Sequence, residues 1–371
     1  MTGQTRMMDA QTLRRMLARG EPVTVLDVRE DEDRAEWSIP GSVHVPAYDA
    51  LNRSEEGALD SAELPDGAPV VTVCGRGRSS AIAADLLARR GYDVYSLQGG
   101  MQAFSLAWNT AEVEIPGSEA QVLQVRRAGK GCLSYMIASG TEVTVIDAAV
   151  DPEVYLDFAE EWDLTIASVL DTHVHADHLS RSRKLAELAG AQMYMPADAP
   201  VSYPFAVLAD GDTIGIGESS LEVISTPGHT PESMSYLLDG AAIFTGDTLF
   251  LSAVGRPDLG ADAEAARKKA RTLHGSLQKL LELPPGTLVL PGHTSEPPAF
   301  DGRPVTEALS VVHAQTEVLD EPEESFVERV AGKGSEAPEN HERIVFFNRA
   351  GELPEGGPTE LEGGANRCAT G

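Results

Sequence analysis

The densest group of metal-ligand residue types is "DTHVHADH", Asp171–His178, directly after the apolar run "IASVL". Imidazole and carboxylate side chains suit zinc or iron, and a strand end can gather several of them. The spacing sets His173 and His175 to one side of the turn and offers Asp177 and His178 to a neighbouring site. Three later motifs each follow an apolar strand: "TPGHT" carries His229, "FTGDTLF" carries Asp247 and "LVLPGHT" carries His293. A lone loop histidine is ordinarily just solvated. Here five of the nine histidines fall at strand ends in one pattern, which argues for convergence on a metal.

A second candidate is Cys74, which closes the strand "VVTVC" and opens the loop Gly75, Arg76, Gly77, Arg78, Ser79 ahead of a helix starting near Ser80. Loop N–H groups, the helix N-terminus and the charges of Arg76 and Arg78 would stabilise a thiolate or persulfide anion. The competing reading is a buried, inert cysteine. Cys132 reads as strand packing, and Cys368 as either a redox bystander or a lid over a pocket. Three scattered cysteines make no disulfide framework, which points to a reducing, cytoplasmic setting.

Two scaffolds must hold these groups. In the first, Asp9 can cap a helix over Gln11–Ala18. The strands "VTVLDV", "VVTVC" and "DVYSL" alternate with helices such as "SSAIAADLLARRG", implying an α/β fold with a parallel sheet and helices on both faces. "VEIPGSEA" contains Pro and Gly and reads as a linker. Beyond it, Ala120–Ala149 holds three short strands. Helices (Pro152–Trp162, Asp262–Leu283) and strands then alternate into two β-rich halves, fitting an αββα sandwich. The tail after Pro297 reads as partly helical, then loop-rich. The expected division is 1–112, a linker at 113–120, and 121–371 with a C-terminal extension.

At 371 residues the chain can bury two cores. No apolar run is long enough to span a membrane, and Met1–Ala10 lacks the pattern of a signal peptide. The formal net charge of -29 argues against nucleic acid, whose phosphates would be repelled. Only six of the 29 basic residues are lysine. Abundant carboxylates with scarce lysine suggest a halophilic, salt-rich cytoplasm that screens the charge.

The histidine motifs, with "GDTLF" and the following "GR", resemble the metallo-β-lactamase superfamily from about Gln121 onward. Two branches match: glyoxalase II-type thioester hydrolases and persulfide dioxygenases of the ethylmalonic-encephalopathy-protein type. Asp247 follows His229 by 18 residues, a short interval that resembles the dioxygenases, as does the ending "ANRCATG". The resemblance implies iron, Fe(2+), on His173, His229 and Asp247. His175, Asp177, His178 and His293 would orient rings by hydrogen bonds or complete a second metal position, and Asp177 is also a candidate catalytic carboxylate. In the hydrolase branch the same residues would hold two Zn(2+) ions and a bridging hydroxide. The residues alone leave both occupancies open. Arg256 matches an arginine lining the dioxygenase pocket, against an ordinary surface ion pair. Ser295 and Val254 depart from that branch, standing where it has a tyrosine and a cysteine.

"LDVRE", "SIPGSVHVP", the Cys74 loop and "LQGGMQAF" resemble a rhodanese domain from Met8 to about Thr110. The usual loop has arginine five residues after the cysteine, where this chain has Ser79. Ser80 stands where a phosphatase would need arginine, so that reading is rejected. Together the resemblances imply oxidation of a low-molecular-weight thiol persulfide by O2 to sulfite, with sulfur transfer through Cys74 and sulfite or thiosulfate as partners. Expected partners include neither nucleic acid nor membrane; a homodimer is left open. The rivals are a dinuclear zinc hydroxyacyl-thioester hydrolase and a non-catalytic sulfane-sulfur carrier or sensor.

Overall fold

A computed structural model of the chain describes residues 5–65, 67–294, 296–332, 337, 340–355, 357–363 and 368–370. The first unit is a five-stranded, wholly parallel sheet: β1 (Met7–Met8), β2 (Thr24–Asp27), β3 (Val43–His44), β4 (Val70–Val73) and β5 (Val94–Leu97), in the order β1-β5-β4-β2-β3. The central strands read as continuous apolar runs because both faces are covered. Val70 packs with Leu26, Ala83 and Leu87 on one face, and Val71 and Val73 with Leu13 and Phe104 on the other. Asp9 caps the helix Ala10–Ala18 by accepting from the Thr12 N–H.

The second unit is a sandwich. One sheet holds β6 (Asn109–Val113), β7 (Gln121–Arg127), β8 (Cys132–Ser139), β9 (Glu142–Ile146), β10 (Thr165–Leu170), β11 (Gln192–Pro196) and β12 (Ala206–Leu208). The other begins with β13 (Thr213–Ile216), β14 (Ser219–Ser225), β15 (Met234–Leu238) and β16 (Ala242–Gly246). After the short β17 (Val254–Gly255) it is completed by β18 (Leu288–Pro291) and β19 (Glu307–Ala308), while β20 (Ala369–Thr370) returns to pair with β17. Tyr135, Ile137 and Leu170 from one inner face meet Val223, Tyr236 and Phe244 from the other. Helices Pro152–Glu161 and Ser182–Ala189 cover one outer face, and Ala263–Leu281 and Glu323–Ala331 the other. The result is an αββα arrangement.

The expected boundary needs correction. Asn109–Val113 pairs antiparallel with β7, so residues 109–112 belong to the second sheet and the expected linker 113–120 starts inside a strand. Pro116 and Gly117 mark the turn of a β-hairpin, and Asn109, Ala111 and Val113 alternate inward as a strand requires. The two units are docked. Arg127 Nε donates to the Ser105 carbonyl (2.8 Å) and the Gly129 N–H to the Ala107 carbonyl (3.1 Å), while Phe300 packs into the first unit's core. Among the described residues no helix is long and apolar enough to cross a membrane.

Candidate functional site

The chain leaves β10, β14, β16 and β18 into the four loops that carry the histidine and aspartate motifs. They converge: ligand atoms of His173, His229 and Asp247, all buried, lie within 4.8 Å of one another. Asp247 Oδ2 is 3.8 Å from His173 Nε2 and 3.6 Å from His229 Nε2. Close backbone approach makes this possible. A Cβ on Gly255 would stand 1.9 Å from the Asp247 carbonyl oxygen and 3.1 Å from the His229 Cβ, so only glycine fits there.

Each ring is set by a hydrogen bond on its far nitrogen. Thr172 Oγ1–H donates to Asp147 Oδ2 (2.9 Å), so His173 Nδ1–H donates to Thr172 Oγ1 (2.9 Å) and Nε2 keeps its lone pair. His229 Nδ1–H donates to the Arg256 carbonyl (2.8 Å), with the same consequence. Such partners fix tautomer and orientation for a metal. Burial lowers both imidazoles below their ordinary value, so both are neutral. Burial would raise the Asp247 carboxyl, but His293, His173 and His229 outweigh it and hold it well below the carboxylate range. Neutral imidazoles and an ionised carboxylate are the protonation states a metal needs.

His173 Nε2, His175 Nδ1, His178 Nε2, Asp247 Oδ2 and His293 Nε2 are buried without a hydrogen-bond partner; among the described residues only four other buried side-chain nitrogen or oxygen atoms share that state. Leaving one such group unpaired costs about 1–3 kcal/mol. Two of the five, His173 Nε2 and Asp247 Oδ2, belong to the set with His229, and an ion held there would use both; the donor types fit a metal.

The remaining motif residues divide differently from the expectation. His173 and His175 are neighbours (ring centroids 4.3 Å apart), yet His175 turns its Nε2 to Asp147 Oδ1 at 3.2 Å and groups with Asp147 and Asp171. Asp147 also accepts from Thr172 N, and Asp171 from Ser180 and Ser182. Asp177, His178 and His293 form a separate group together with Cys132. The reading of Cys132 as mere strand packing is therefore incomplete, because its Sγ lies 3.5 Å from Asp177 Oδ2. Strand position without a motif gave no sign of this.

The C-terminal extension braces the histidine loop. Asn348 Nδ2 donates to the His175 and His178 carbonyls, both at 2.8 Å, and its Oδ1 accepts from the Ser180 N–H. Glu362, fully buried, accepts from the Leu179 N–H and pairs with Arg127 and Arg181. No motif pointed to Glu362 or Asn348, which lie far along the chain in unpatterned stretches.

Arg256 is buried rather than a surface residue. Asp258 takes its guanidinium at 2.8 and 2.6 Å, its N–H donates to the Cys368 carbonyl, and its own carbonyl orients His229. Cys368 is buried where the tail returns over β17, and burial raises its thiol well above the ordinary value. Val254 lies in β17. Ser295 and most of the "ANRCATG" ending lie outside the described residues. A cavity of about 460 Å³ opens beside His229, walled by Val174, Ala176, Leu259, Lys269, Val345 and Arg349.

In the first unit Cys74 is 2% exposed beneath its loop. The Gly77 N–H donates to its Sγ (3.1 Å), and Sγ–H donates to Ser80 Oγ (3.4 Å). Arg76 and Arg78 stand exposed, and the helix begins at Arg78 with Gly77 left-handed. Gly100 closes the loop from behind: a Cβ there would meet the Cys74 carbonyl at 2.2 Å. Ser79 is buried, with its Oγ 3.4 Å from Asn52 Oδ1.

A docked parallel-sheet unit with a cysteine loop, and a sandwich gathering buried histidine and aspartate at its strand ends, define the class. The chain belongs to the metallo-beta-lactamase superfamily, which matches residues 127–293, and carries a rhodanese-like domain over residues 9–107. It is similar to the hydroxyacylglutathione hydrolase of Rhodospirillum rubrum, 34% identical over 46% of this chain and 68% of that one. Of solved structures, a metallo-beta-lactamase from Staphylococcus aureus is 27% identical with a TM-score of 0.57, covering 63% of this chain and 73% of that one. ETHE1 from Myxococcus xanthus is 30% identical with a TM-score of 0.45, covering 64% and 92%. The chain spans between 50% and 63% of the length of the first curated relatives it matches.

Proposed function

We propose that the chain is a non-haem iron persulfide dioxygenase with an attached sulfurtransferase domain. A low-molecular-weight thiol persulfide, O2 and water would give the thiol, sulfite and two protons; the terminal sulfur is oxidised and O2 takes the four electrons. Cys74 would carry a sulfane sulfur between a donor and sulfite or a thiol, with thiosulfate as one product or source.

One observation carries the choice over a two-zinc thioester hydrolase. Asp247 Oδ1 is taken by His293 Nδ1 at 2.5 Å, so Oδ2 alone faces His173 and His229. Asp247 thus offers one oxygen to a set made of two histidines and one carboxylate. Two histidines and one carboxylate are the facial set of ferrous oxygenases. Ferrous iron held by His173, His229 and Asp247 would supply the redox chemistry that O2 and a persulfide need. The chain's part is to hold that set rigid through Thr172 and the Arg256 carbonyl, keep bulk water from the buried donors, and seat the thiol in the cavity beside His229. The name of the curated relative supports the hydrolase reading instead.

The deciding experiment is iron reconstitution without oxygen, then an oxygen-electrode trace with a thiol persulfide. One O2 consumed per sulfite formed is expected. Hydroxyacyl-thioester cleavage by the two-zinc form, with no oxygen uptake by the iron form, would overturn the proposal.

A further inference from the structure

Beneath the Cys74 sulfur lie two buried hydroxyl groups that belong to no motif. Sγ is 3.4 Å from Ser80 Oγ, and Ser80 Oγ is 2.9 Å from Ser96 Oγ. Both serines are 0% exposed. They come from different elements: Ser80 from the first turn of the helix Arg78–Arg89, and Ser96 from β5, where it stands beside Thr72 of β4. Thr72 Oγ1–H donates to the Ser80 carbonyl (2.7 Å) and fixes that turn against the sheet. A hydroxyl inside a covered sheet costs free energy unless it is bonded. Ser96 Oγ is bonded to Ser80 and, among the described residues, to nothing else.

The hydrogens show which state of the sulfur this array suits. A neutral thiol brings three hydrogens to the two contacts Sγ–Ser80 and Ser80–Ser96, so the Ser96 hydrogen is left without an acceptor among the described residues. An anionic sulfur brings none. Ser96 O–H then donates to Ser80 Oγ, Ser80 O–H donates to Sγ, and every hydrogen is used. Rotation of the two hydroxyls is all that separates these arrangements.

The loop gives the sulfur little else. Among the described residues the Gly77 N–H is its only backbone donor, at 3.1 Å. Ser79, standing where similar loops have arginine, turns its hydroxyl to Asn52 (3.4 Å). Arg76 and Arg78 are exposed. Val28, Ala47 and Leu51 make the surrounding core apolar, and Asp27 at the end of β2 is already paired with Arg29 at 2.7 Å.

We infer that Ser80 is a catalytic residue of sulfur transfer, with Ser96 as its positioning residue, and that the pair stabilises the Cys74 thiolate as it leaves. A lone pair on the sulfur of sulfite attacks the outer sulfur of the Cys74 persulfide. The new S–S bond makes thiosulfate, the S–S bond to Cys74 breaks, and its electron pair stays on Sγ. Persulfide anion and sulfite dianion thus give thiolate and thiosulfate dianion, with no proton moved. Ser80 O–H and the Gly77 N–H meet that charge where it forms. The inference rests on the sulfurtransfer proposed for Cys74, yet the hydroxyl array acts on any anionic Cys74 sulfur, so it can be read without turnover.

Two measurements on the full chain test it. One is the rate at which iodoacetamide alkylates Cys74 at a fixed pH, followed by the mass of the Cys74 peptide, since the thiolate is the reacting form. The other is turnover of a thiol persulfide and sulfite to thiosulfate. Ser80→Ala should slow alkylation and lower kcat by about tenfold or more, the loss expected for a hydrogen bond to a charged group. The KM for sulfite should stay within about twofold, because the bond strengthens as charge forms rather than on binding. Ser80→Thr keeps the hydroxyl and should recover most of both rates. Ser96→Ala should fall between wild type and Ser80→Ala, and it carries the test if Ser80→Ala does not fold. Unchanged rates in a folded Ser80→Ala overturn the inference, as does a Ser80→Thr as slow as Ser80→Ala. A wild-type chain that transfers no sulfur defeats the sulfurtransferase reading alone, and the alkylation rates then decide the part played by Ser80.

Discussion

Asp247 is the only anion in the set with His173 and His229, and three histidines hold it ionised against burial. Asp247→Ala should therefore lose at least nine-tenths of the bound iron, read by metal analysis. Thiosulfate sulfurtransfer should survive, because Cys74 lies in a separate core. Full iron content in the variant would mean that the ligands are misassigned. Cys74→Ser is the mirror experiment. Serine cannot carry a sulfane sulfur, so sulfurtransfer should vanish while persulfide-dependent oxygen uptake stays within about twofold. If uptake collapses in a folded, iron-loaded variant, Cys74 lies on the oxidation path. At this scale the motif residues were legible because ligand types stood directly after apolar strands. Asp147, Thr172 and Cys132 were not, since each acts across the fold: Asp147 reaches Thr172 and His175 from the end of β9, and Cys132 reaches Asp177 from β8.

The C-terminal extension is the element whose importance the sequence hid. Short edge strands such as Val43–His44 and Ala369–Thr370 carry no readable period, and the Pro116–Gly117 turn read as a linker although it joins two paired strands. The long apolar strands and Asp-capped helices were readable because local pattern and burial agree in them. Glu362 shows what the extension does. Burial would raise its carboxyl, but Arg127 and Arg181 lower it from 4.5 to about 2, and it holds the Leu179 N–H beside His178. Glu362→Gln leaves two arginines buried without their counter-charge, and breaking such a buried pair costs about 3–5 kcal/mol. The pH dependence has a definite sign. A depressed carboxyl contributes stability fully present above its unfolded value and lost as pH falls through its folded one. The wild-type advantage should therefore hold at neutral pH and shrink from pH 4.5 towards about 2. Urea unfolding of both forms across that range checks it; parallel curves separated by the same amount at every pH would rule out the linkage.

At the scale of the whole molecule, docking replaces tethering. The Arg127 side chain touches the Ser105 carbonyl of one unit and Glu362 of the other, so the two sites share a rigid frame rather than a flexible link. Under the proposed function, exchange of sulfur between Cys74 and the His173, His229 and Asp247 set would depend on a small diffusible thiol, not on a swinging arm.

The same docked frame must withstand a formal net charge of -29. Most of that charge is on exposed carboxylates, whereas the pair of Glu362 with Arg127 is fully buried. Salt screens exposed charges far more than buried pairs, with a Debye length of about 10 Å at 0.1 M and about 3 Å at 1 M. Repulsion among surface carboxylates should therefore be severe at low ionic strength and nearly gone at molar salt. The buried ion pairs and apolar cores should keep their contributions throughout. The expected result is a Tm that rises steeply with KCl up to molar levels, then levels off once the screening length is shorter than the spacing of the charges. NaCl at equal ionic strength should act alike if screening is the cause. Scanning calorimetry from 0.05 M to 3 M of each salt measures it, in a range set by that screening length. A flat profile would remove the inference of a salt-rich cytoplasm and leave the metal site untouched, because His173, His229 and Asp247 are buried where bulk ions do not screen them.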